Sequence, residues 1–172
     1  DAIAMGFADH FVPRAELPAF TAAIVANGVA AALEAFSQEP PPSPLAEQRD
    51  WIDHCYTGAT VADIIAALRG HDKSAAHDAA DLIATRSPIA CSVTLASVRR
   101  AAALPTLDDV LIQEYRVSCA SLRSHDLVEG IRAQLVGKDR NPQWSPGSLA
   151  EVTDAGVESY FTPADPDLTF PT

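Results

Sequence analysis

No two cysteines in this sequence are spaced for chemistry. Cys55, Cys91 and Cys119 stand alone, without a CxxC or Cys-His spacing, so neither a disulfide framework nor a zinc site is indicated and a reducing compartment fits. Cations are scarce. Lys and Arg number 12 against 23 Asp and Glu, a formal charge of −11, which opposes binding of nucleic acid or anionic membrane through the whole surface. Glycine-rich phosphate loops are missing. No apolar run approaches the roughly 18 residues of a membrane span, because the alanine-rich stretch is broken by Asn27, Gly28 and Glu34. An initiator methionine is missing too. DAIAMGFADHF has no signal or transit character and reads like the last turns of a helix ended at Gly6, so the natural protein is expected to continue upstream. What remains is the expectation of a soluble chain, 48% hydrophobic and 20% charged over 172 residues, with one real core.

What the sequence does have is helical punctuation. Ala15 to Ala26 repeats Leu17, Phe20, Ala23 and Ile24 at helical spacing and stops at Asn27-Gly28. A second helix runs through Phe36. SQEPPPSP, residues 37–44, cannot continue it, because consecutive prolines lack amide donors and stiffen the chain; this is the expected linker. Glu47 to His54 reads as a short helix. Thr60 with Asp63 forms a capping-box variant before Val61, Ile64, Ile65 and Leu68, and Gly70 stops that helix. Ser74 to Thr85 is expected to turn Ala79, Leu82 and Ile83 inward, and Ser87-Pro88 to open a helix burying Val93, Leu95 and Val98. Thr106, three residues before Asp109, caps a helix to about Leu122 with a stripe of Val110, Leu111, Tyr115, Cys119 and Leu122. Asp126 to Val136 comes next, with Val128, Ile131 and Leu135 on one face. Ser148 and Glu151 cap a last helix to about Phe161, and residues 162–172 read as a loosely ordered tail. Only His10-Phe11-Val12 suggests a strand. The fold class is therefore mostly α.

Familiar reactive groupings fail on geometry. His71 and His77 are six apart, on different helix faces, which argues against a shared metal. Asp53, His54 and Cys55 are neighbours in sequence and so point apart on a helix. Cys91 has no identifiable His partner and reads as a small core residue. Glu114, Tyr115 and Arg116 describe a buried ring flanked by surface charges.

The most informative stretch is HDLVEGIRAQLVGKDRNPQW, His125 to Trp144. Read physically, its apolar face is buried, Glu129 and Arg132 face outward, Gly137 permits the turn, and Lys138, Asp139 and Arg140 stand at the helix end, where cations suit the dipole. Pro142 forbids helical continuation and Trp144 anchors the segment beyond the helix. This run resembles the C-terminal signature of the 3-hydroxyisobutyryl-CoA hydrolases, a branch of the crotonase (enoyl-CoA hydratase/isomerase) superfamily, in which DFxEGVRAxLxDKDxxPxW is typical. AIAMGFADHFVP, RSPIACSVTL and LIQEYRVS resemble further pieces of that family in the same order, and the similarity spans about Ala2 to Phe161. Leu127 stands for the usual Phe, Gly137 for an acidic residue, and Ser92-Val93 for a small-residue and Lys pattern.

The resemblance implies that residues 1–36 end a crotonase-like α/β core, that 45–161 form its C-terminal helical region, and that the catalytic carboxylates and oxyanion-hole amides lie upstream. It implies no catalytic residue here. It implies a coenzyme A thioester substrate without metal, redox centre or other cofactor, with Lys138 as the leading contact to coenzyme A and Arg140 and Arg132 behind it. The expected partners are the acyl-CoA, the N-terminal core of the same protein, and further copies in a homo-oligomer, without nucleic acid or membrane. The compartment is cytosol, or mitochondrial matrix in a eukaryote. A hydratase or isomerase fragment and a stand-alone helical interaction module are the competing expectations.

Overall fold

A computed structural model describes residues 1–170. It is mostly helical, and among the described residues there is no strand, only an isolated antiparallel bridge from Phe11 to Gln38 where a strand was expected. Among the described residues no helix is long and apolar enough to cross a membrane. The chain forms two compact units, Asp1–His54 and the residues from Cys55 onward.

In the first unit α1 (Leu17–Asn27) and α2 (Val29–Phe36) form a hairpin about Gly28. Gly28 has φ 83°, a conformation that L side chains adopt at a cost, so the glycine is a conformational requirement there. Phe20 and Phe36 close the hairpin edge to face at 6.0 Å, and Ala32 is buried. The Pro-rich run, residues 37–44, lies within this unit, where Gln38 donates to Glu16 and Ser43 to Asp1. α3 (Arg49–Cys55) ends at the boundary.

The second unit holds α4 (Val61–Gly70), α5 (Ser74–Ala84), α6 (Pro88–Ala101), α7 (Leu107–Leu122), α8 (His125–Ile131) and α9 (Asp154–Glu158). α4 packs on α5 and α6, and α6 packs on α7 and α9. The helix starts lie where the capping residues place them. Thr60 and Asp63 make a full reciprocal capping box, Ser87 Oγ accepts from Ala90 N at 3.1 Å, and Thr106 Oγ1 accepts from Asp109 N at 3.1 Å. Val61, Ile64 and Leu68 are buried as the periodicity predicts.

Several expected faces are corrected. α5 buries Ala76 and Ala80 completely while Leu82 is 55% exposed, because the contact with α4 is made on methyl groups that let the backbones approach. On α6, Val93 is buried as expected, whereas Val98 is 66% exposed and the neighbouring Ser97 is buried. Its partner on α7 is Gln113, which donates through Nε2 to Ser97 O at 3.1 Å and Oγ at 3.2 Å, while Ser97 Oγ donates to Glu114 at 2.6 Å. Leu111 and Leu122 are exposed. A satisfied polar seam holds α6 to α7 where an apolar stripe was expected. The last helix is broken into a 3-10 turn (Leu149–Glu151), α9 and a second 3-10 turn (Ser159–Phe161), since Thr153 takes over as the cap of α9. The tail is tied to α7 at Pro166 and Asp167: Arg116 pairs with Asp167 at 2.5 Å and Tyr115 Oη donates to Pro166 O at 3.2 Å. Residues 171 and 172 lie outside the described residues.

Candidate functional site

Ser124 caps α8, its Oγ accepting from Leu127 N at 3.3 Å, and from Arg132 to Val136 the helix widens to a π turn. The closing bond is Gly137 N to Arg132 O at 2.6 Å, and Arg140 N reaches back to Ala133 O at 3.0 Å. Single π turns concentrate at functional sites because they reorient side chains without ending the helix.

The orientation of this segment is the reverse of the expected one. Val128, Ile131 and Leu135 are exposed, at 64%, 46% and 67%, whereas Ala133 and Asp126 are buried and Glu129 is turned inward. Polar groups win the inward face because each finds a partner within α8 or in the chain just beyond it. Asp126 accepts from Ser87 Oγ at 2.5 Å and from Ser145 N at 2.8 Å, and lies 2.9 Å from His125 Nδ1. Glu129 accepts from Arg132 at 2.7 and 2.8 Å and from Gln143 N at 2.8 Å. Arg132 also donates to Asp139 at 2.6 Å and to Asn141 O at 3.3 Å. Trp144 donates through Nε1 to Thr85 O at 3.1 Å, and its ring would meet a Cβ on Gly130 at 3.4 Å.

The turn itself falls on unexpected residues. Gly137 has an ordinary right-handed backbone, and the positive φ of 55° belongs to Lys138 and Arg140. Each such placement of a non-glycine residue costs about 1 kcal/mol or more, offset by surrounding bonds. Gly137 leaves room for the brace: a Cβ there would sit 2.9 Å from Arg132 Nη1, so a side chain would shift the guanidinium that carboxylates hold on both sides.

The charges in this brace are strongly coupled. Arg132, and next the amide of Gln143, hold Glu129 down to about 2 from an ordinary 4.5. Asp139 is lowered by Arg132 and by Asn141 N, and Arg132 is raised by Glu129 first and Asp139 second. Because the folded value of Glu129 lies below its unfolded one, its contribution to stability is complete above about pH 4.5 and disappears as pH falls through about 2. Acid titration of the melting temperature should therefore steepen between these limits, and Glu129→Gln should flatten that slope; an unchanged slope rules the carboxylate out.

Lys138 and Arg140 are exposed, and their side chains make no hydrogen bond or ion pair with the described residues. Arg140 also lines a cleft of about 770 Å³ whose walls include Ile89, Val93, Leu127, Ile131 and Trp144. Of the three residues singled out as coenzyme A contacts, Lys138 and Arg140 thus present unpaired cations, that of Arg140 at the cleft, while Arg132 is engaged by carboxylates. Such an arrangement suits an amphipathic anion.

Ser87, Asp126 and His125 form a hydrogen-bonded series with the carboxylate in the middle, whereas a nucleophilic relay needs the imidazole there. The series is a brace. Cys91 is half-buried, and burial pushes its thiol up despite nearby Arg86, as suits a packing residue. Among the described residues no three His, Cys, Asp or Glu side chains are grouped to hold a metal. The His77 ring nitrogen lies 2.6 Å from the carbonyl oxygen of His71. Sequence reading missed Asp126 and Glu129 as organising residues. The available signal was an Asp and a Glu three residues apart ahead of an Arg three residues later, a spacing that lines them on one helix face.

The sequence profile described as enoyl-CoA hydratase/isomerase matches residues 1–161. A mitochondrial 3-hydroxyisobutyryl-CoA hydrolase from Xenopus laevis is 33% identical over 168 residues, covering 91% of this chain and 43% of that protein. Among solved structures, a carnitinyl-CoA dehydratase from Mycobacterium thermoresistibile superposes with a TM-score of 0.93 at 72% identity, and an enoyl-CoA hydratase from Rhodobacter sphaeroides 2.4.1 with 0.87 at 34%. Both alignments cover 99% of this chain and 49% of the other. The chain spans about half the length of the relatives it matches.

Proposed function

We propose, on the premise that this chain belongs to the enoyl-CoA hydratase/isomerase family, that it is the C-terminal part of a coenzyme A thioester hydrolase acting on 3-hydroxyisobutyryl-CoA, as in valine breakdown. The observation that carries this reading is the match to a curated hydrolase of that name along nine-tenths of the chain, including the His125–Trp144 signature. On this reading the thioester carbonyl is held by backbone amides and attacked by water under carboxylate control, all in a preceding half of the protein. The present helices cover the acyl group and supply contacts to coenzyme A. The exposed face of Val128, Ile131 and Leu135 packs against that preceding core, since an apolar helix face of this kind is unstable in water.

Lys138 is the leading coenzyme A contact, with Arg140 beside it and Arg132 third. An ammonium on an exposed turn suits the phosphates of the nucleotide end. In the longer protein, Lys138→Ala should raise KM for the thioester about fivefold, the effect of losing one exposed charge pair, and the rise should shrink at high salt. An unchanged KM rejects the role.

A second reading, a hydratase or dehydratase, is favoured by the 72% identity to the solved carnitinyl-CoA dehydratase. A thiol-trapping assay separates the two. Release of free coenzyme A from 3-hydroxyisobutyryl-CoA supports the hydrolase, whereas conversion of an enoyl-CoA or hydroxyacyl-CoA without thiol release supports the alternative. A stand-alone interaction module is disfavoured by the apolar face left uncovered on α8.

A further inference from the structure

Lys138 and Arg140 flank an aspartate on a chain with a formal charge of −11. Whether an anion is drawn to that turn depends on where the carboxylates in it are held. Asp139 Oδ2 accepts from Arg132 Nη1 at 2.6 Å and Oδ1 accepts from Asn141 N at 3.0 Å. Glu129 is saturated by Arg132 and Gln143 N. Both negative charges are thus bound by donors inside the turn, and both unpaired cations lie on its outside. Nε, Nη1 and Nη2 of Arg132 all donate within this brace.

We infer that Glu129, Arg132 and Asp139 are positioning residues, which hold the backbone of Lys138 and Arg140 in its left-handed conformation and leave those two cations facing outward for the phosphates of coenzyme A. The inference rests on the reading of Lys138 as a coenzyme A contact, and it removes Arg132 from the residues that touch the ligand. The π turn supplies the geometry, since Gly137 N and Arg140 N bond the carbonyls of Arg132 and Ala133, its first two residues, and so tie the backbone of residues 137–140 to the helix. Gly137 supplies the space for the guanidinium between its two carboxylates.

The decisive variant is Asp139→Asn in the longer protein, because charge and positioning predict opposite signs. Removing a negative charge beside two cations would tighten binding of an anion if Asp139 acted only through its charge. Asparagine leaves one acceptor oxygen for two donors, Arg132 Nη1 and Asn141 N, and sets an NH2 against the other, which loosens the turn, so we expect KM for the thioester to rise about fivefold with kcat unaltered. A KM that falls or stays the same overturns the inference. Arg132→Gln, placed in a Lys138→Ala/Arg140→Ala background, should add less than about twofold, since its effect runs through those two residues. A further rise as large as in the wild-type background would make Arg132 a direct contact and overturn the assignment. Should Arg132→Gln fail to fold, Asp139→Asn, which alters one exposed carboxylate, still decides. If the Lys138→Ala/Arg140→Ala pair itself leaves KM unchanged, the coenzyme A reading falls and this inference with it.

Discussion

Asp126→Ala is expected to destabilise the protein by about 3 kcal/mol, the range for removing a buried charged acceptor from several donors at once. Asp126 is 6% exposed and joins three parts of the second unit: the N-cap serine of α6, the backbone of Ser145 beyond the signature turn, and its neighbour His125. Without it Ser145 N loses its acceptor and Ser87 loses the partner that fixes its hydroxyl while it caps α6. For a chain of this length the loss corresponds to a fall in melting temperature of about 10 °C. Calorimetry on the purified protein measures it. Asp126→Asn keeps one oxygen acceptor and should lose about half as much. Equal losses for the two variants would show that the carboxylate itself, and not the shape of the side chain or a single oxygen acceptor, is what matters.

The second large effect is expected at Trp144. Its indole donates to Thr85 O and its ring lies over Gly130, so one side chain fastens the far end of the turn to both the α5–α6 connection and α8. Trp144→Ala should cost about 3 kcal/mol, most of it from lost burial. Trp144→Phe keeps most of that burial and forfeits the hydrogen bond, so it should cost about 1 kcal/mol. Because the turn carrying Lys138 and Arg140 lies between α8 and Trp144, the alanine variant should also weaken coenzyme A binding in the longer protein. A variant that melts early but binds normally would uncouple the anchor from the turn.

Much of the helical framework was legible in the sequence because caps are local. Thr60, Ser87 and Thr106 announce their helices by chemistry confined to three residues, and the structure places helix starts there. Helix faces were less legible. Periodicity states which residues share a stripe, but it does not state whether that stripe meets water, a neighbour within the chain, or something outside it. Val128, Ile131 and Leu135 share the expected stripe and are exposed, while Ser97 and Gln113 are buried because they satisfy each other from positions 16 residues apart on two helices. The signature turn was legible in composition and illegible in mechanism. Gly137 was expected to make the turn, and it makes room instead. The π turn has no composition signal of its own, so the left-handed placement of Lys138 and Arg140 could not be read from residue types. The EYR run reads as flanking surface charges in sequence, yet Tyr115 and Arg116 fasten the tail through Pro166 and Asp167, each 51 positions later.

The seam between α4 and α5 sets a one-sided rule for how this part of the sequence can drift. Ala76 and Ala80 are completely buried there, and an alanine has already given up all the volume it can without becoming glycine. Any larger residue at either position must push two helices apart, whereas Leu82 on the same helix is 55% exposed and has room to change. Variation in α5 is therefore freer at the large Leu82 than at the small Ala76 and Ala80, the opposite of what a hydrophobicity ranking of these three residues would suggest.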